Sequence, residues 1–217
     1  MRRALITLAV VGTLALGCSS SKGPTLDYTP EFSLLTDAGI NQIKESRHAG
    51  FDLRDHTLTK ADVGFDPPVD KGPMVGNASS PELTLELLGP TGTETVTTRT
   101  FMVPSLSKNE PYELIAFWRD FDNPADANTE LLAGIERWGF LPAKIQNWIT
   151  NTGDGEDDKA VLGMGIGPAG LVVEVEARLK NGHQLLRYMV HLTPDLYTPE
   201  AQANIRQFGQ ETRPRGR

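Results

Sequence analysis

The sequence predicts an α+β fold: a single domain with a largely antiparallel sheet and helices packed on one face. Three observations predict it. Asn181-Gly182 separates two alternating runs, and such a pair is the strongest short hairpin signal, because a type I′ turn requires positive φ at both central positions. Apolar residues recur at helical spacing in two successive segments between Asp126 and Ile149. These helices stand between two runs of strands, whereas a doubly wound fold would alternate strand and helix one by one.

In chain order, residues 18–33 read as a tether, 34–210 as the domain and 211–217 as a frayed tail. Thr36 caps a short helix to Arg47 that carries Ile40 and Ile43, and Gly50 ends it. Phe51 to His56 reads as a short strand. The rest of 51–81 is broken by Asp66-Pro67-Pro68 and Lys71-Gly72-Pro73, and an irregular segment of that length is often functional. Glu82 to Leu88 alternates, with Leu83, Leu85 and Leu87 on the apolar face. Pro90-Thr91-Gly92 turns the chain, and the β-branched stretch Thr95 to Val103 returns as its hairpin partner. Tyr112 to Phe117 is a further strand.

Asp126 to Trp138 is a helix, with Ala127, Leu131, Leu132, Ile135 and Trp138 on one side and Gly139 at the C-terminal cap position. A second helix opens at Pro142 and carries Ile145, Trp148 and Ile149. In the late hairpin, Val173 faces Val190, Val175 faces Tyr188 and Ala177 faces Leu186, while Glu176 faces Arg187 on the other side. A slip of one residue would bury the charges. Lys159 to Ile166 adds a third strand through the turn Gly167-Pro168-Ala169-Gly170. A last helix starts at Thr198-Pro199 and buries Ala201, Ile205 and Phe208.

The N-terminus carries a different signal. Arg2 and Arg3 precede a short apolar run to Leu16, and a small residue, Gly17, stands before Cys18. A charged start, a short apolar stretch and a small residue before the cut make an export signal. The run is shorter than the ~20 residues that cross ~30 Å of hydrocarbon. The stretch Leu14-Ala15-Leu16-Gly17-Cys18 resembles the lipobox of bacterial lipoproteins, with Ala15 at a place where Leu is commonest and Ala accepted. The resemblance covers residues 1–18. It implies cleavage before Cys18, acylation of its thiol with a diacylglyceryl group bearing chains such as palmitate, and usually acylation of the new amino group. Ser19 just after the Cys resembles the outer-membrane sorting pattern, for a host with two membranes. Cys18 is the single cysteine of 217 residues, so no disulfide forms within the chain. Ser19-Ser20-Ser21-Lys22-Gly23-Pro24 suits a flexible spacer. Two or three acyl chains anchor firmly, so residence at a membrane asks nothing of the folded domain.

Without Arg2 and Arg3, the 21 basic side chains fall to 19 against 28 acidic ones, a net charge near −9. That balance disfavours nucleic acid and anionic headgroups as partners. No catalytic, metal or cofactor signature stands out. Gly163-Met164-Gly165-Ile166-Gly167 lacks the Lys-Ser or Lys-Thr of a phosphate loop. It reads as a strand with gaps, at which missing side chains at Gly163 and Gly165 would let a ligand or a packed aromatic reach the backbone. Asp154, Glu156, Asp157 and Asp158 lack the glycine and the final glutamate of a calcium loop. His48, His56, His183 and His191 show no zinc spacing. Phe117-Trp118-Arg119-Asp120-Phe121 is the densest aromatic stretch, and Trp118 and Arg119 are candidate binding residues. The favoured function is a non-catalytic envelope domain that presents a sheet face or the 51–81 segment to a protein, to peptidoglycan or to a small ligand. The alternative is a tethered hydrolase of envelope polymers working through carboxylates near Trp118, which a cleft holding two of Glu113, Asp120, Asp122 and His56 within hydrogen-bond reach would support.

Overall fold

The computed structural model describes residues 32–212 except 67, 69–71, 106, 109 and 153–157. The leader, Cys18, the tether up to residue 31, most of the acidic 154–158 cluster and residues 213–217 lie outside the described residues.

The fold is α+β, with four helices and nine strands in two mostly antiparallel sheets. Helix α1 (Asp37–Ser46) is capped by Thr36, whose hydroxyl accepts from Gly39 N. It ends at Arg47, which takes the left-handed conformation, and not at Gly50, which lies inside β1 (His48–Asp52). The expected strand 51–56 is therefore corrected. It starts earlier and stops at Asp52, and His56 sits in a turn at φ 59°. Strand β2 (Met74–Gly76) follows the irregular segment, then β3 (Leu83–Gly89) and β4 (Gly92–Thr98) form a hairpin. Strand β5 (Thr100–Met102) and β6 (Leu114–Phe121) come next. Helices α2 (Pro124–Trp138) and α3 (Pro142–Asn151) precede β7 (Asp158–Ile166), β8 (Val172–Lys180) and β9 (His183–His191). Helix α4 (Pro199–Phe208) closes the domain.

The smaller sheet runs β1-β3-β4, with β1 parallel to β3. The larger runs β2-β5-β6-β9-β8-β7 and is antiparallel throughout. The late hairpin has the register that its turn dictates: Val173↔Val190, Val175↔Tyr188, Glu176↔Arg187 and Ala177↔Leu186. Asn181 and Gly182 supply φ of 51° and 79°. The stretch Thr95–Val103 is not one strand. It breaks at Arg99, with Thr98 in the small sheet and Thr100 in the large one.

One face of the large sheet carries Phe101, Phe117, Tyr188 and Val175, all buried. Both the small sheet and the α2–α3 pair pack on it. Phe51 of β1 meets Phe101 edge-on at 5.8 Å, and Trp138 lies 6.3 Å from Phe117 and 6.0 Å from Tyr188. Alternation sends Ala116, Trp118, Arg187, Met189 and Glu174 to the opposite face. Helices are not confined to one side: α4 and the 3-10 turn Pro194–Tyr197 cover one end of that second face, where Ile205 and Leu196 bury Val172.

Each free strand edge is blunted, as stable sheets require. At β1, Ser33 N donates to Gly50 O and Ser33 Oγ accepts from Gly50 N. Ser33, assigned by sequence to the tether, thus belongs to the folded part. At β4, the guanidinium of Arg119 donates to Thr97 O at 2.9 Å, and that of Arg137 donates to Thr95 O. Strand β2 has three residues and ends on Gly76 at φ 79°. Strand β7 is bulged between Val161 and Gly163, and its Met164 N donates to Gly209 O beyond α4.

Candidate functional site

The point where the chain leaves one sheet for the other makes the best-defined cleft near the aromatic stretch. Gly76 admits the crossover, because a Cβ there would collide with Arg99 O. Thr98, 2% exposed, stitches it. Its hydroxyl lies 2.9 Å from Thr100 O and 2.8 Å from Trp118 O as a shared donor, and accepts from Thr100 N at 3.2 Å. Strand β5 pairs with β6 at Phe117 and Ala116, and β4, across the crossover, belongs to the other sheet. The resulting cleft has a volume of about 600 Å³, a typical size for a ligand site.

Trp118, Asp120, Asp122 and Leu185 form one wall, and Met74, Asn77 and Ala78 another, with Glu82 and the Thr97–Thr100 crossover between them. The rim at Asn77 is a tight Asx turn: Ser79 N donates to Asn77 Oδ1 at 2.8 Å and Asn77 N to Ser80 Oγ at 3.0 Å. Trp118 is half-buried on the second face. The guanidinium of Arg187, its partner in register, lies 5.7 Å from the ring centre, a cation–π contact. Arg99 and Glu82 pair at 3.7 Å and both are more than half exposed, so they are free to turn toward a ligand.

Both sequence candidates of the aromatic stretch line this cleft, in different roles. Arg119 points to the other face, where it bonds Thr97 O, lies 3.8 Å from Glu130 and sits over the Phe121 ring at 5.6 Å. It is a positioning residue that holds β4 beside β6. Gly163 and Gly165 lie elsewhere, on β7. At Gly165 a Cβ would meet Trp138 O and the backbone of Gly139, and at Gly163 the nearest atom is Gly209 O at 2.9 Å. The gaps there are filled by helix-end backbone of this same chain.

The carboxylates do not converge as a set. Glu113 stands just before β6 and Asp120 near its far end, seven residues or ~23 Å apart along extended chain. Asp120 and Asp122 share the cleft, but Asp122 is fully exposed, with His183 at 3.6 Å. His56 is remote, stacked on Tyr197 at 3.5 Å and 10°. His191 is mostly enclosed. It meets Glu174 at 3.0 Å, and its carbonyl accepts from Tyr197 Oη at 2.7 Å. Burial pushes the Tyr197 phenol up to about 12, so it remains a donor. Among the described residues no three His, Cys, Asp or Glu side chains are placed to hold a metal ion. Among them, too, no helix is long and apolar enough to cross a membrane. In the 51–81 segment, Lys60 is buried with its amine 3.9 Å from the Tyr112 ring centre.

His56 allows a pH test of this packing. Desolvation lowers its pKa, against a smaller opposing pull from Asp55. Below the free imidazole value of about 6.5 the unfolded chain gains a proton that the folded chain refuses. His56 therefore makes folding less favourable as pH falls from about 6.5 toward its depressed folded pKa, and has no such effect above that window. His56→Asn tolerates the left-handed backbone. Urea unfolding at about pH 7.5 and about pH 5.5 is expected to show a smaller acid loss in the variant than in the wild type.

Residues missed by sequence, Asn77, Glu82 and Arg99, join the cleft from distant parts of the chain. The Asn77-Ala78-Ser79-Ser80 turn signature was the one local hint. A scan against protein-family models, a search of curated proteins and a search of solved structures give no match for this chain.

Proposed function

We propose that this chain is a bacterial envelope lipoprotein, held to a membrane by acyl chains on Cys18, whose domain binds without catalysis. The Trp118 cleft is its ligand seat and a glycan of the envelope, as in peptidoglycan, is its ligand class. The lipobox-like residues 14–18 support the anchor, with the outer membrane as its place in a host that has one. The single observation that carries the binding reading is one cleft of about 600 Å³ joining an indole to convergent polar groups. An aromatic face beside Asn77, Glu82, Arg99 and Asp120 suits sugar rings, which are apolar on their faces and rich in hydroxyls at their edges.

Two experiments test the two halves separately. Cys18→Ser in the native host is expected to abolish fatty-acid labelling and to release the protein from sedimenting membranes; labelled, membrane-bound C18S protein overturns the anchor. The mature chain carrying C18S is expected to be retained on purified peptidoglycan, and further substitution Trp118→Ala to lower that retention about tenfold, the order of a stacked aromatic contact of ~1.4 kcal/mol. Equal retention of both proteins overturns the cleft as the seat.

The hydrolase alternative draws on Asp120 and Asp122 in the same cleft. A general acid needs a carboxyl held protonated by an apolar pocket, and Asp122 stands in open solvent. Release of reducing ends from peptidoglycan, lost in Asp120→Asn, would favour that alternative instead.

A further inference from the structure

The protein has five methionines. Met1 belongs to the leader, and the other four fall in one row across one face of the large sheet. The register reads Met74↔Met102, Met102↔Ala116, Ala116↔Met189, Met189↔Glu174 and Glu174↔Met164. Directly paired residues project to the same side, so the row is Met74, Met102, Ala116, Met189, Glu174 and Met164. Strands stand ~4.8 Å apart. Met102 and Met189 therefore flank Ala116 at roughly 10 Å, a span that two unbranched thioether side chains are long enough to bridge. Met74 stands on the next strand out.

We propose that Met74, Met102 and Met189 form a soft-cation site above Ala116, taking Cu(I) or Ag(I) through three thioether sulfurs. Four features carry it. Thioethers select soft monovalent cations and leave hard divalent ones to carboxylates. The domain contains no cysteine, Cys18 being the single one and lying before it, so these sulfurs are its soft donors. Ala116 is small and fully buried, so the side chains of the neighbouring strands close over it. The site also has a closed and an open end: Met189 is 8% exposed and Met74 56% exposed. Glu174, beside Met189, is engaged by His191 at 3.0 Å, and the guanidinium of Arg187 in the next row lies over Trp118. The inference does not rest on the glycan reading or on the lipid anchor, although Met74 also lines the Trp118 cleft.

The test titrates Ag(I) into the mature chain carrying C18S, in chloride-free buffer, followed by calorimetry. One ion per chain is expected. Met102→Leu and Met189→Leu are expected each to weaken binding about tenfold or more, and Met74→Leu, Met102→Leu and Met189→Leu together to abolish it. Leu replaces Met at near-constant volume, and circular dichroism of each variant checks that the fold is kept. Met164→Leu, on the far side of Glu174, is expected to bind as the wild type does. Equal affinity in the wild type and the triple variant assigns the ion to histidines or carboxylates and overturns the site. Absence of stoichiometric binding by the wild type overturns it equally, and leaves the row as apolar surface.

Discussion

Gly165→Val is expected to destabilise the domain by at least ~3 kcal/mol, as overpacking against fixed backbone does. A Cβ at this position would lie 2.6 Å from Gly139 C and 2.7 Å from Gly139 O, and would also strike Trp138 O. These are backbone atoms at the C-terminus of α2, where Gly139 holds the left-handed cap at φ 71°, so no side chain can swing aside. Trp138 beneath it packs on Phe117 and Tyr188, so a shift of the helix end disturbs the centre of the core. For a domain of this size the loss corresponds to a Tm lower by roughly 6–12 °C. Gly50→Ala is the matched control. Its added Cβ meets only His48 Cε1 at 3.6 Å, an ordinary contact, so its effect is expected to stay within ~1 kcal/mol. Thermal unfolding of the two variants side by side decides the matter: equal Tm values would mean that β7 does not rest on the α2 terminus.

Arg137→Met is expected to cost ~2–3 kcal/mol, chiefly by stranding its partners. Arg137 reaches from α2 to the small sheet, where it pairs with Glu94 at 2.6 Å and donates to Thr95 O. Glu94 is only 15% exposed, so its carboxylate would be left enclosed and unpaired. Met keeps the apolar stem over Trp138 and removes the charge. Glu94→Gln in the same chain is expected to recover part of the loss, and a double-mutant cycle by urea denaturation reads the coupling. A single substitution without effect on the midpoint would show that the small sheet is held by its apolar face alone.

Local chemistry explains what could be read in the sequence. The β8–β9 hairpin was legible because its turn fixes its register over two residues, and α2 because its apolar residues recur at helical spacing up to the Gly139 cap. Non-local contacts explain the rest. Thr95 to Val103 looks like one β-branched strand. Its break at Arg99 depends on Gly76, more than twenty residues earlier, and on the Thr98 hydroxyl reaching Trp118 O. The strand after it begins at Leu114 and runs on to Phe121, not from Tyr112 to Phe117, because Tyr112 N is taken by Leu58 O. Trp118 could be picked out by its aromatic neighbours. Whether its strand neighbour Arg119 shared its face of the sheet depended on which side β4 would lie.

The blunted strand edges have a consequence for crowding. Under the proposed anchor, chains on a surface would meet one another far more often than chains in a volume, and any exposed ladder of N–H and C=O groups would let neighbours zip into ribbons. Here serine, arginine, a kink and a short strand each remove that opportunity in a different way. Loss of one of them, as in Arg119→Ala, is therefore expected to appear first as self-association at high local density, before any loss of the monomer's own stability.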